Sequence, residues 1–78
     1  MVYLFVENKG YINLDLSTGI PVSLVSEKIE ATPFNSSQDA MTTLNDYRDY
    51  LLRTTMDYNN KDDMLSLLDN ANTIMCLH

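Results

Sequence analysis

The chain has 78 residues, eleven Asp and Glu against five Lys and Arg, a formal net charge of −6 and 45% hydrophobic side chains. That length holds one core, since two would each approach the size at which small domains need crosslinks or partners, and the acidity disfavours nucleic-acid backbones and anionic membranes, which recruit Lys and Arg. With one histidine, His78, and one cysteine, Cys76, the side chains that usually build a nucleophile, an acid/base pair or a metal site are scarce. A lone cysteine forms no internal disulfide and fits a reducing cytoplasm. The apolar start Met1–Val6 meets Glu7 after six residues, too short for a signal peptide or a membrane span.

In chain order, residues 2–6 and 11–16 are β-rich runs separated by Glu7-Asn8-Lys9-Gly10, whose Asn and Gly tolerate the left-handed dihedrals of a tight hairpin turn. Ile12, Leu14 and Leu16 alternate with Tyr11, Asn13 and Asp15, which puts one face on the core. A third strand is expected over 20–30 with Pro21 near its start, where a missing N–H is tolerated. The adjacent apolar pair Leu24-Val25 breaks the alternation and points to a bulge or to a new register leading to Ile29.

Asn35 or Ser36 caps a first helix over 36–58, with Gln38 or Asp39 three residues on completing a capping box. Its apolar stripe is Ala40, Leu44, Tyr47, Leu51 and Tyr58, widened by Met41, Leu52 and Met56. Asn59-Asn60 then makes a turn before a second helix over 61–75 carrying Met64, Leu65, Leu68, Ala71 and Met75. The apolar Thr73–Leu77 run is compatible with a strand, with helix the preferred reading. The expected architecture is one α+β domain: a three-stranded antiparallel β-meander followed by two antiparallel helices packed on one face.

No site chemistry emerges from spacing. Cys76 and His78 lack the further ligands zinc requires, Asp57–Asp63 has neither the central Gly nor the terminal Glu of a calcium loop, and there is no phosphate-cradling glycine loop. The expectation is no enzyme, no cofactor and no metal. Binding patterns are clearer. Asp46, Asp49, Arg53 and Asp57 recur at helical spacing, so that Asp49–Arg53 and Arg53–Asp57 can pair; with Asp62, Asp63 and Asp69 they read either as a solvated face or as an acidic recognition strip flanked by Tyr47 and Tyr50. The candidate partner-binding set is therefore Asp46, Tyr47, Asp49, Tyr50, Asp57, Asp62 and Asp63. Tyr3, Phe5 and Tyr11 form a second candidate: if helices cover one sheet face only, an exposed aromatic patch implies a partner or a homodimer, the alternative being burial of these rings in a two-sided core.

The order strand, strand, strand, helix, with the junction Ile29-Glu30-Ala31-Thr32-Pro33-Phe34-Asn35-Ser36-Ser37-Gln38-Asp39-Ala40, resembles the small acidic accessory proteins of bacteriophages, a group that includes anti-CRISPR and anti-restriction proteins. The resemblance covers about residues 2–52 and transfers no functional residue. It implies stoichiometric inhibition in the host cytoplasm, by binding the basic, nucleic-acid-binding surface of a host defence protein such as a CRISPR-Cas effector, with no direct contact to nucleic acid. The alternative expectation is a small structural or homo-oligomeric subunit that uses an exposed aromatic or Met-rich face.

Overall fold

The computed structural model describes residues 1–75. Along the chain run β1 (Val2–Val6), β2 (Gly10–Leu14), β3 (Val22–Val25), a 3₁₀ turn (Lys28–Glu30), α1 (Ser37–Arg53), α2 (Lys61–Asp69) and β4 (Asn72–Met75). The strands form one antiparallel sheet in the order β3-β2-β1-β4. The architecture is thus α+β, an antiparallel sheet with two helices, and the expected three-stranded meander gains a fourth strand.

The first hairpin follows from two residues. Asn8 has φ 64° and Gly10 has φ 141°, both in the region that Asn and Gly enter most easily, and Lys9 N–H closes the turn on the Val6 carbonyl at 3.0 Å. A Cβ on Gly10 would sit 2.7 Å from the Val25 carbonyl oxygen, so this position excludes a side chain on both counts.

β2 stops at Leu14 instead of Leu16, because the Asp15 carboxylate accepts from the backbone N–H of Ser17 at 2.9 Å and its hydroxyl at 2.6 Å and turns the chain. The third strand is shorter than the expected 20–30. Pro21 precedes it and β3 then pairs without a bulge, Leu14 with Val22, Ile12 with Leu24 and Tyr11 with Val25. Leu24 and Val25 lie on opposite faces, which explains their adjacency. Beyond them the charged Glu27-Lys28 leads into the 3₁₀ turn, where Ile29 is 91% exposed and belongs to no strand.

β1 and β2 pair only beside their turn, Phe5 with Tyr11 and Val6 with Gly10. Where they diverge, residues 32–34 fill the gap: Val2 and Phe34 exchange both backbone bonds at 2.8 and 2.9 Å, and Thr32 N–H donates to the Ile12 carbonyl at 3.3 Å. The Thr32 hydroxyl takes the place of a strand carbonyl by accepting from Leu14 N–H at 2.7 Å.

Ser36 caps α1, its hydroxyl accepting from Asp39 N–H at 3.1 Å. The helix ends at Arg53 rather than 58: Thr54 turns extended, and its hydroxyl accepts from Met56 N–H at 3.1 Å. α2 ends early for a similar reason. The Asn70 side chain donates to the Ser66 carbonyl at 2.9 Å and stops the helix, which frees residues 72–75 to pair with β1, Val2 with Met75 through Phe5 with Asn72. The expected helix over 61–75 is therefore a helix to Asp69 followed by a strand, as the β-branched Thr73-Ile74 favours.

Val2, Leu4, Val6, Ile12, Leu14 and Val22 from one face of the sheet join Phe34, Ala40, Leu44, Leu51, Met64 and Leu68 in one buried cluster. Both helices therefore cover the same face. Met41, Leu52 and Met56, expected to widen the helical stripe, are exposed instead. Among the described residues no helix is long and apolar enough to cross a membrane.

Candidate protein-binding surfaces

Asp46 and Asp49 are exposed on α1, while Tyr47 and Tyr50 between them are half-buried and pack against the core. Partial burial raises the Tyr47 pKa above the usual tyrosine value, with the Leu16 backbone beside the hydroxyl opposing the shift. Tyr50 shares a hydrogen bond of 2.7 Å with the Tyr58 hydroxyl, their rings 6.4 Å apart and tilted by 59°. Tyr50 is shifted down by its bonds to Tyr58 and Thr54, and Tyr58 is shifted up by its bond to Tyr50. Opposite shifts are the behaviour of a pair in which Tyr58 keeps the shared proton longer. Tyr50 thus fastens the loop before α2 to α1.

The acidic positions separate into two groups. Asp57 lies past the end of α1, so it does not continue the Asp46–Asp49 face; with Tyr58, Asn59, Asn60, Lys61, Asp62 and Asp63 it lines an open concavity at the start of α2. Asp62 and Asp63 occupy the first turn of that helix, where the exposed N–H groups favour negative charge. Neither expected ion pair of Arg53 occurs among the described residues. The ion pair that forms is Arg48–Asp69 at 2.7 Å, which links α1 to the end of α2; both side chains are solvent-accessible, so it contributes about 0–1 kcal/mol. No group of three or more His, Cys, Asp or Glu is placed to hold a metal among the described residues. Cys76 and His78 lie outside the described residues.

A second open concavity lies between the β1–β2 turn and the end of α2, lined by Val6, Glu7, Lys9, Ser66, Leu67, Asn70 and Asn72. It is polar, and none of its polar side chains is buried.

The face of the sheet away from the helices carries Tyr3 and Phe5 from β1, Tyr11 and Asn13 from β2, Ser23 and Val25 from β3, and Asn72 and Ile74 from β4. The three aromatic residues are half-buried, and Tyr3 meets Tyr11 edge-on, centroids 6.4 Å apart and planes at 73°. Alternation in residues 2–6 and 11–14 makes Tyr3, Phe5 and Tyr11 legible as a shared face; Val25 and Ile74 join them through strand pairing, for which the β-branched Thr73-Ile74 was the available signal.

Charge is segregated from this sheet. None of the sixteen charged residues lies in a strand. The stretch from α1 through α2 holds seven of the eleven carboxylates, Asp39, Asp46, Asp49, Asp57, Asp62, Asp63 and Asp69, against Arg48, Arg53 and Lys61. The molecule therefore offers two chemically different exteriors, an acidic helical side and an uncharged aromatic sheet face. Comparison with family models, curated proteins and solved structures gives no match to this chain.

Proposed function

We propose that this chain is a non-enzymatic protein-binding module whose acidic helical side docks on a basic protein surface, of the kind that nucleic-acid-binding proteins present. The observation that carries the reading is the charge segregation: seven carboxylates over 37–69 face three cations, one of which is already paired with Asp69. Opposite charge of this kind raises the rate of encounter and selects the partner. Asp46 and Asp49 on α1, with Asp57, Asp62 and Asp63 around the start of α2, supply the field. Tyr47 and Tyr50 stand half-buried beside these acids, and Tyr50 holds the loop before α2 through Tyr58. The resemblance of residues 2–52 to phage accessory proteins extends the proposal to inhibition of a host defence protein, such as a CRISPR-Cas effector, in the bacterial cytoplasm.

The test is a pull-down from bacterial lysate with the tagged chain, eluted by a salt gradient, followed by affinity measurement on the recovered protein. A basic nucleic-acid-binding protein that leaves the column as salt rises is the expected result. Asp46→Lys with Asp49→Lys should weaken that complex more than the equal charge change Glu27→Lys with Glu30→Lys beside β3. Equal loss in both variants, or binding indifferent to salt, refutes docking through the acidic helices.

A further inference from the structure

We infer that Tyr50 and Tyr58 form an oxidative modification site, at which a one-electron oxidant joins the two rings by a carbon–carbon bond and fastens the connector between the helices covalently to α1. The inference does not rest on the proposed function. Tyr50 lies in the last turn of α1 and Tyr58, eight positions on, in the connector of residues 54–60. Their hydroxyl oxygens are 2.7 Å apart, and their ring centroids stand 6.4 Å apart with the planes tilted by 59°. A tyrosyl radical couples through the carbon ortho to its oxygen, so two oxygens in hydrogen-bond contact bring the coupling positions to the same place. Bond formation needs a further approach of the rings, which Tyr58 can make because its backbone belongs to no helix or strand.

The chemistry balances without a group from the protein. Each phenol loses one electron to the oxidant and its hydroxyl proton to solvent, which leaves two neutral phenoxyl radicals with spin on their ortho carbons. One ortho carbon bonds to the other; each ring then gives up its ortho hydrogen as a proton, regains a proton on oxygen and becomes aromatic again. The net change is the loss of two electrons and two protons, and two equivalents of oxidant are each reduced by one electron. The shared hydrogen bond favours the first loss, since the accepting oxygen stabilises the positive charge that develops on the donor. Tyr50, held below the ordinary tyrosine pKa by its bonds to Tyr58 and Thr54, ionises early and yields its electron more readily as a phenolate. Both residues are half-buried, near enough to solvent for an electron to pass to an oxidant that never enters the protein. The class of oxidant matters: a peroxide would instead take the thioether of Met56, 58% exposed in the same connector, to its sulfoxide.

A second tyrosine pair provides the comparison within one molecule. Tyr3 and Tyr11 have the same centroid separation of 6.4 Å but meet edge-on at 73°. They stand on the adjacent strands β1 and β2, and no hydrogen bond joins their hydroxyls among the described residues. Equal distance without the hydroxyl contact, on backbones held by strand pairing, should couple poorly.

Photo-generated ruthenium(III) tris-bipyridyl applied to the full chain, followed by trypsin and mass spectrometry, tests the inference. The expected product is peptide Asp49–Arg53 joined to Thr54–Lys61 with the loss of two hydrogens, in a yield independent of protein dilution. Tyr50→Phe and Tyr58→Phe, each of which keeps the ring and removes one hydroxyl, should each lose this product with circular dichroism unchanged. Unfolding in urea should lower its yield several-fold, because the chain between the two residues then no longer holds the rings together. The inference is overturned if Met1–Lys9 and Gly10–Lys28, which carry Tyr3 and Tyr11, are joined in equal yield. It is overturned as well if the unfolded chain forms the 50–58 product equally, or if the only crosslinks are between molecules. None of these results bears on salt-sensitive capture of a basic partner, so the two proposals fail separately.

Discussion

Gly10 and Gly19 look alike in the sequence and have opposite roles in the molecule. At Gly10 the backbone stands at φ 141° and an added Cβ meets the Val25 carbonyl at 2.7 Å, whereas at Gly19 no atom lies within 4 Å of an added Cβ. Gly10→Ala should therefore cost about 1–3 kcal/mol of unfolding free energy and Gly19→Ala should lie within about 0.5 kcal/mol of the parent; urea denaturation of the two variants checks the contrast. The tyrosine pair gives a second expectation. Tyr50 has a folded pKa below the ordinary 10.0 and Tyr58 one above it. Stability linked to Tyr50 appears as pH rises through its lowered value toward 10, and stability linked to Tyr58 is present below 10 and lost as pH rises through its raised value. Ultraviolet phenolate titration should show ionisation on both sides of the ordinary tyrosine range, and Tyr50→Phe should remove the early component.

Thr32 holds the opening between β1 and β2, since its hydroxyl accepts the Leu14 N–H that no strand carbonyl reaches. Thr32→Val keeps the shape and leaves that partly buried donor unpaired, so unfolding free energy should fall by about 1–3 kcal/mol; Thr32→Ser keeps the acceptor and should recover most of it. Ser36 supports α1 through its bond to Asp39 N–H, and Ser36→Ala should cost about 1 kcal/mol by chemical denaturation. These elements differ in legibility. The β1–β2 turn, the α1 cap and the amphipathic stripes of both helices are written in neighbouring residues, because positive-φ residues, capping hydroxyls and helical spacing act over a few positions. The ends of α1 and α2 are less legible, since apolar residues such as Met56 and Met75 extend the helical spacing while Thr54 and Asn70 stop the helices with local side-chain bonds.

Across the molecule the carboxylates gather on the helical side, and that asymmetry predicts a response to salt. Capture of a basic partner through Asp46 and Asp49 should weaken as salt rises. Loss of core packing should weaken that capture as well: Leu51, fully buried between the helices and the sheet, should cost about 2–5 kcal/mol when cut to Ala, read as a lower thermal midpoint with partner capture reduced.

Composition and short-range pattern point to the class of this protein: one small α+β unit, acidic, with its only Cys and His in the last residues and two candidate surfaces marked by Asp spacing and by Tyr3, Phe5 and Tyr11. Long-range pairing settled the rest. β4 exists because the outer edge of β1 finds Asn72–Met75 beside it once α2 has stopped; residues 32–34 fill a gap that arises from the divergence of two strands; and Val25 and Ile74 join the aromatic face through partners far away in the chain. The acidic strip divides for the same reason, since a helix that ends at Arg53 sends Asp57 to the start of α2. Local preferences are properties of a few consecutive residues, whereas strand order and the sharing of a face depend on which distant segments meet, and backbone hydrogen bonding between them carries no local signature.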